Sequence, residues 1–505
     1  MKRKILFTLI LSLLVGCGGA SSTASYPPHK YDSYDFKDYN DAFENTAIAD
    51  ENAYSDDDVV EFIEQGEVSN NKLGKLSFAQ INDTHGAMYD DGGVVGISHV
   101  QSVLNEFEKE NGDYIGILGG DIFQGGWLSN ITYGNAFVDV LNSMNFNAFV
   151  IGNHEFDWGL DIISKYKDGD TSNGELNIPF LGANIYYKGT NTHPSWISPF
   201  TIVNSNGYKV GIIGIIGESQ YDSISSDKRE NYEFKNTDNL IKKYSCLLSE
   251  EYECDSIVLA THDYSQTLNQ RYVNLDGVKI DAIFNAHTHE LVSEYIERGD
   301  GYKIPCVQSN TKNGQVGTII YNPDDITVKP IIKHYDPSTY PLDTNIDQII
   351  NKYQDLINQG NEAVGYTSRY LSKRDLGLKV SEYLVKKYEV IGAFVNQSGV
   401  RGDMQTGDIT YSKCYNVFPF DNIVYLIRID GLTAKKVLNN SSNYTYKDPN
   451  VTIDLNRTYY IATIDFLYIR DSNEFHFKNT KFYNTNNLLR DDFVECCGEY
   501  YKKVN

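Results

Sequence analysis

Five short apolar runs, each ending in a histidine or a carboxylate, constrain this chain more than any other feature. Leu76–Ile81 leads into Asn82-Asp83-Thr84-His85-Gly86, and Tyr114–Leu118 into Gly119-Gly120-Asp121. Ala148–Ile151 leads into Gly152-Asn153-His154-Glu155-Phe156-Asp157. Ser256–Ala260 then leads into Thr261-His262-Asp263, and Ala282–Phe284 into Asn285-Ala286-His287-Thr288-His289. Each run is short enough and β-branched enough to read as a buried strand, and helix-like stretches such as His99–Lys109 lie between them. Strands alternating with helices predict an α/β fold, and ligands bind at the carboxyl ends of such strands. A lone His beside a turn Asn is as often structural. Here, however, five of the ten histidines fall at these strand ends.

The residue types specify the chemistry. Asp-x-His and His-x-His place two side chains on one side of an extended segment. Four imidazoles (His85, His262, His287, His289), two carboxylates (Asp83, Asp121) and the Asn153 amide oxygen suit borderline divalent ions such as Zn²⁺, Mn²⁺ or Fe²⁺. That set exceeds one tetrahedral ion and fits two, about 3.5–4 Å apart with a shared carboxylate. Such a pair activates water for attack on phosphorus. The sequence contains no Gly-x-Ser-x-Gly elbow and no P-loop to supply another route.

Taken in order, Asp-x-His, Gly-Asp, Gly-Asn-His-Glu-Phe-Asp, Thr-His and His-x-His resemble the calcineurin-like metallophosphoesterases, and within them the exported 5′-nucleotidases. The resemblance covers about Leu73–Tyr335, with Ala286 standing where the family usually has Gly. It implies a four-layer αββα sandwich over residues 73–340, a linker helix over 341–365 and a smaller α+β substrate-specificity domain over 366–505. It also implies that Asp83, His85, Asp121 and His289 bind one metal, while Asp121 (bridging), Asn153, His262 and His287 bind the other. His154 would not ligate. It would stabilise the transition state and assist the leaving alkoxide, with Asp157 orienting its ring.

The later part of the chain carries further signatures. Ile346, Ile349, Ile350, Tyr353, Leu356 and Ile357 repeat at helical spacing behind Thr344 or Asn345 as a cap, and Leu376, Val380 and Leu384 mark a second helix. Asn396-Gln397-Ser398-Gly399-Val400-Arg401, Gly407-Asp408-Ile409-Thr410 and Pro419-Phe420-Asp421-Asn422 resemble the 5′-nucleotidase C-terminal signatures. On that resemblance Asn396 and Arg401 contact substrate, and Phe420 and Phe466 form a nucleobase clamp. An arginine fork suits an anionic group, and an aromatic face suits a base. Three departures bear on nucleoside selectivity. Tyr468–Glu474 replaces a Gly-Gly-Asp-Gly loop, the segment from Phe420 to Phe466 is short, and only Arg369 and Arg374 lie near an arginine expected by Leu376-Gly377.

The amino terminus reads as an export signal. Met1-Lys2-Arg3-Lys4 is basic, Ile5–Val15 is apolar but too short to span a bilayer, and Leu14-Val15-Gly16-Cys17 resembles a lipobox. Residues 1–17 are thus expected to be a lipoprotein signal, with Cys17 lipidated and the mature chain tethered to a bacterial membrane, facing periplasm or cell surface. Residues 18–72 read as an acidic disordered tether; residues 26–70 hold 13 Asp and Glu against two Lys. The net charge of −24 and the lack of a basic cluster exclude a nucleic-acid polymer as partner. Among the cysteines, Cys246 and Cys254 form one candidate bridge.

The expected activity is hydrolysis of nucleoside 5′-monophosphates or related nucleotides, 2′,3′-cyclic nucleotides and nucleotide sugars included. Two alternatives are a thiosulfohydrolase on the same scaffold and a non-catalytic surface lipoprotein for adhesion or ligand capture.

Overall fold

The computed structural model describes residues 30–42, 50–55, 64–91, 93–309, 314–470 and 477–502. The basic start, the apolar run and Cys17 lie outside the described residues. Among the described residues, 30–36 belong to one unit, with a single 3-10 turn, Lys30–Ser33. Residues 37–505 form the other, which carries both expected domains.

Two seven-stranded sheets build the first of these domains. In one, Leu76–Ile81, Ile115–Leu118, Ala148–Val150 and Phe180–Leu181 run parallel, and Val316–Tyr321 closes antiparallel on the first strand. In the other, Tyr208–Ile216, Ser256–His262, Ala282–Asn285 and Lys303–Gln308 run parallel. The two-residue period of a strand sorts their side chains. Phe78, Ile115, Ile117, Val150, Val210, Val258 and Phe284 pack in one core drawn from both sheets. Ala79, Ile81, Leu118 and Phe149 instead pack with Val100, Leu104 and Phe107 of the helix Ile97–Asn111. On the far side Ile213, Ile257, Leu259 and Ile283 pack with Leu240, Ile241, Tyr244 and Leu248 of the helix Thr237–Glu250. Helix, sheet, sheet and helix make the four-layer αββα sandwich. Strands buried on both faces require near-continuous apolar runs, which is why the sequence displayed them.

A six-stranded mixed sheet forms the core of the second domain, with Ile423–Asp430 and Thr458–Ile464 at its centre. The helix Lys373–Tyr388 buries Leu376, Val380 and Leu384 against it, as their spacing predicts. Between the domains, the expected linker helix is interrupted: Thr344–Ile350 and Gln354–Gly360 flank a 3-10 turn. Its cap is Asp343, whose carboxylate accepts from the amides of Asn345 and Ile346, and not Thr344 or Asn345. A carboxylate there also favours the positive end of the helix dipole.

The expected tether differs from the sequence reading in part. Lys37–Asp38 pairs with Lys481–Leu488, Tyr54–Ser55 with Thr192–His193, and Glu64–Gln65 with Phe200–Ser205. The Tyr39 hydroxyl donates to Ile469 O at 3.0 Å, and that of Tyr54 to Ile197 O at 2.6 Å. Tyrosines scattered among acidic residues show no apolar period, so composition alone concealed these contacts. Cys246 and Cys254 are both free, so that candidate bridge is absent.

Candidate metal centre

All five strand ends converge. Asp83, His85, Asp121, His287 and His289 share an unusual backbone, with φ of 48°, 46°, 55°, 77° and 59°. They are five of the ten non-glycine residues with positive φ among the described residues. Each lies two to four residues beyond the end of its strand. Such conformations cost roughly 1–3 kcal/mol apiece and cluster at functional sites. Two glycines complete the cradle. A Cβ at Gly120 would lie 2.5 Å from His262 Nδ1, and one at Gly152 would collide with Asp121 Oδ1.

Ligand atoms gather in overlapping groups: Asp83, His85 and His289; His85, Asp121 and His154; Asp121, His262 and His287. In the last group, His262 Nε2 lies 3.2 Å from both Asp121 Oδ2 and Asn153 Oδ1, and His287 Nδ1 lies 2.9 Å from Asn153 Oδ1. Asp121 Oδ2 is buried and receives no well-aligned hydrogen bond, His262 Nε2 being its near neighbour. Carboxylate, amide and imidazole lone pairs crowded this way fit cations. The structure therefore brings together all seven residues expected as ligands, with Asp121 common to two groups. His154 also comes within reach of His85 and Asp121, closer to ligating distance than its expected role implied.

Electrostatics follows from burial. Desolvation pushes Asp83 up to about 6, and it brings His287 down to about 3 and His289 down to about 4. Burial opposes charge on His262 too, yet the Asp121 carboxylate prevails and holds the imidazole up to about 10, so a bound cation would compete with a proton for Nε2. Neighbouring backbone fixes the rings. His262 Nδ1 donates to Gly119 O at 2.8 Å and His85 Nδ1 to Gln124 O at 3.1 Å, which leaves each Nε2 facing the cluster. His154 Nδ1 lies 2.8 Å from Asp157 Oδ2.

Glu155 is a functional residue that sequence reasoning passed over, although it sits inside the most conspicuous motif. Its buried carboxylate accepts from the amides of Asp121 (2.9 Å), Ile122 (2.9 Å) and Gly152 (2.8 Å). It thereby ties the Asp121 strand end to the Asn153 strand end. Asn82 does similar work, donating to Asp83 Oδ2 at 2.5 Å and to Ser309 O at 3.0 Å.

The second domain reaches this centre. Arg401 Nη2 lies 3.3 Å from His85 Nε2, and the Phe420 ring stacks on His154 with centroids 5.5 Å apart and planes 24° from parallel. Asn396 donates to Ser398 Oγ at 2.9 Å, while its own Oδ1 is buried and unpartnered. Phe466 lies on the short helix Asp465–Ile469 with the Arg470 guanidinium 5.6 Å from its ring. Among the described residues no ring contact joins Phe466 to Phe420, and residues 471–476 of the altered loop lie outside them.

Residues 76–291 match the calcineurin-like phosphoesterase family, and residues 343–452 match the 5′-nucleotidase C-terminal domain. The chain contains a calcineurin-like phosphoesterase domain. It is a hydrolase of the 5′-nucleotidase kind, with a metallophosphoesterase domain followed by the C-terminal domain of those proteins. The 5′-nucleotidase of Vibrio cholerae is 23% identical over 430 residues, which cover 73% of this chain and 76% of that protein. The trifunctional nucleotide phosphoesterase YfkN of Bacillus subtilis is 25% identical over 417 residues, covering 72% of this chain but only 27% of that longer relative. In fold, the chain is similar to a 5′-nucleotidase precursor of Thermus thermophilus, with a TM-score of 0.72 at 18% identity over 85% of this chain and 97% of that one. Calcineurin-like phosphoesterases bind divalent metals, and the grouped Asp and His side chains fit such ions.

Proposed function

We propose that this protein is an exported, lipid-anchored phosphohydrolase that removes phosphate from nucleoside 5′-monophosphates or closely related nucleotides. The observation that carries the reading is the arrival of Arg401 and Phe420 of one domain at the metal-ligand cluster of the other. A phosphate held at the cluster would meet a guanidinium, and a base beyond it would meet an aromatic face. The Asn396 amide oxygen, buried without a partner, suits a donor such as a sugar hydroxyl.

Asp83, His85, Asp121 and His289 would hold one divalent ion, and Asp121, Asn153, His262 and His287 the other. Bound there, such ions supply Lewis acidity, charge screening and water activation. The chain's own residues do the rest. Gly119 O and Gln124 O hold His262 and His85 in the tautomers that direct Nε2 inward. Asp157 holds His154 at Nδ1, and burial is outweighed by the Asp157 and Asp121 carboxylates, so the imidazole keeps its proton above the ordinary histidine range. A protonated His154 can stabilise negative charge on phosphorus oxygens and give a proton to the departing alkoxide. The lipobox at Cys17 supports anchoring, and no helix of the described residues is long and apolar enough to cross a membrane.

Phosphate release from AMP, a cyclic nucleotide, a nucleotide sugar and p-nitrophenyl phosphate, with added Mn²⁺ or Zn²⁺, tests the reading. Fast AMP cleavage that disappears in Asn153→Ala and His154→Ala is expected. Cleavage of the generic ester alone would discard the nucleotide assignment. No metal-dependent cleavage would shift weight to thiosulfate chemistry or to a non-catalytic lipoprotein. The stacked Phe420 favours a base-bearing substrate over thiosulfate, and the complete ligand set argues against a retired site.

A further inference from the structure

One backbone carbonyl takes donors from both domains. Pro419 O accepts from Gln124 Nε2 at 2.9 Å and Asn130 Nδ2 at 2.8 Å, and from Arg490 Nη1 at 3.1 Å. All three side chains are buried, at 1%, 6% and 4% exposure for Gln124, Asn130 and Arg490. The two lone pairs of a carbonyl oxygen are thus fully used. The next residue is Phe420, whose ring lies on His154.

The three donors differ in what they join. Arg490 belongs to the second domain and braces the loop within it, with Nη2 2.7 Å from Asp421 Oδ1 and the guanidinium 3.8 Å from the Tyr415 ring centre. Gln124 and Asn130 belong to the metal-ligand domain and sit in the turn that orients a ligand. Gln124 O accepts from His85 Nδ1 at 3.1 Å, Asn130 Oδ1 accepts from Gly125 N at 2.7 Å, and Gly126 N donates to His85 O at 2.7 Å. A single turn therefore fixes the His85 ring on one side and holds the Phe420 loop on the other.

We propose that Gln124 and Asn130 are positioning residues for nucleotide hydrolysis: through the Pro419 carbonyl they register Phe420 over His154 at the metal centre. This rests on the nucleotide reading above. Arg490 keeps the loop in shape whether or not the domains touch, whereas the two amides hold it only when they do. They therefore stabilise the arrangement in which a base and its phosphate are gripped at once.

Gln124→Met and Asn130→Asp, singly and together, test this in the full chain. Gln124→Met removes the donor but keeps the backbone carbonyl on His85, and Asn130→Asp keeps the acceptor for Gly125 but sets a carboxylate against Pro419 O. Two hydrogen bonds of ordinary strength predict a rise in KM for AMP of about tenfold to thirtyfold in the pair. p-Nitrophenyl phosphate, which has no base to stack, should change less than about threefold. Mn²⁺ affinity by calorimetry should hold, and small-angle scattering should show a larger radius of gyration than wild type. Equal losses on both esters, weakened Mn²⁺ binding, or unchanged AMP kinetics with unchanged scattering would each overturn the proposal. Wild-type protein that cleaves p-nitrophenyl phosphate but not AMP would instead remove the nucleotide reading. Scattering would then still decide whether the two amides hold the domains together.

Discussion

Replacing Glu155 by Gln should loosen the metal centre without touching any ligand. The carboxylate accepts three buried amides: Oε2 takes those of Asp121 at 2.9 Å and Gly152 at 2.8 Å, and Oε1 takes that of Ile122 at 2.9 Å. Burial and the Asp121 charge push its carboxyl up to about 7, while the Ile122 and Asp121 amides pull the other way. At pH 8 it is therefore an anion. A glutamine keeps the shape but must turn an NH₂ toward at least one of these N–H groups. One unpaired buried donor costs about 1–3 kcal/mol. Weaker neutral acceptance at the other two is offset by removing a buried charge beside Asp121. The whole change is about 1–3 kcal/mol. Urea unfolding at pH 8 in chelator measures it directly. Because the carboxylate ties the Asp121 and Asn153 strand ends, Mn²⁺ affinity should also fall about 10–100-fold, as for other groups that orient ligands. A shift below about 1 kcal/mol with wild-type Mn²⁺ binding would refute the reasoning.

Three other perturbations have defined outcomes. Asp157→Asn removes the charge that holds His154 at 2.8 Å, so kcat for AMP should fall about 100-fold with KM little changed; unaltered turnover would remove His154 from proton transfer. His99 gives Nδ1 to Tyr340 O at 2.6 Å and Nε2 to Asp90 Oδ2 at 3.0 Å, and although burial opposes charge these acceptors raise its pKa. That contribution is complete below the ordinary histidine pKa and is lost as pH rises through the higher folded value, so urea midpoints of wild type and His99→Gln should converge from pH 6 toward pH 9. Parallel curves would dismiss the ion pair. Tyr54→Ala gives up a 2.6 Å hydrogen bond to Ile197 O and a ring stacked 5.0 Å from His193, about 1–3 kcal/mol. A chain starting at residue 73 should therefore melt below one starting at residue 30, and equal melting points would restore the plain tether.

Much of this molecule was legible before folding was considered. The sandwich announced itself because strands buried on both faces must be nearly continuous apolar runs, as Ile115–Leu118 and Ile257–Ala260 are. The seven candidate ligands were legible because Asp, His and Asn recur where apolar runs end, although folding buries Asp83, Asp121, Asn153 and His262. Segments that bury little were harder to read: Asp38 and Tyr54 sit in acidic sequence with no period, and their pairing depends on edges offered by strands more than a hundred residues away.

The kinds of atoms available for chemistry, and their order along the chain, were therefore settled by sequence alone, because ligand identity and strand patterning are local properties. Tertiary structure alone decided what those atoms face. Glu155 became a brace only when three amides from two strand ends turned toward it. Gln124, Asn130 and Arg490 acquired a common partner only when Pro419, some 300 positions beyond Gln124, folded between them. A hydrogen bond depends on distance and direction in space, and neither is written in the spacing of residues along a chain.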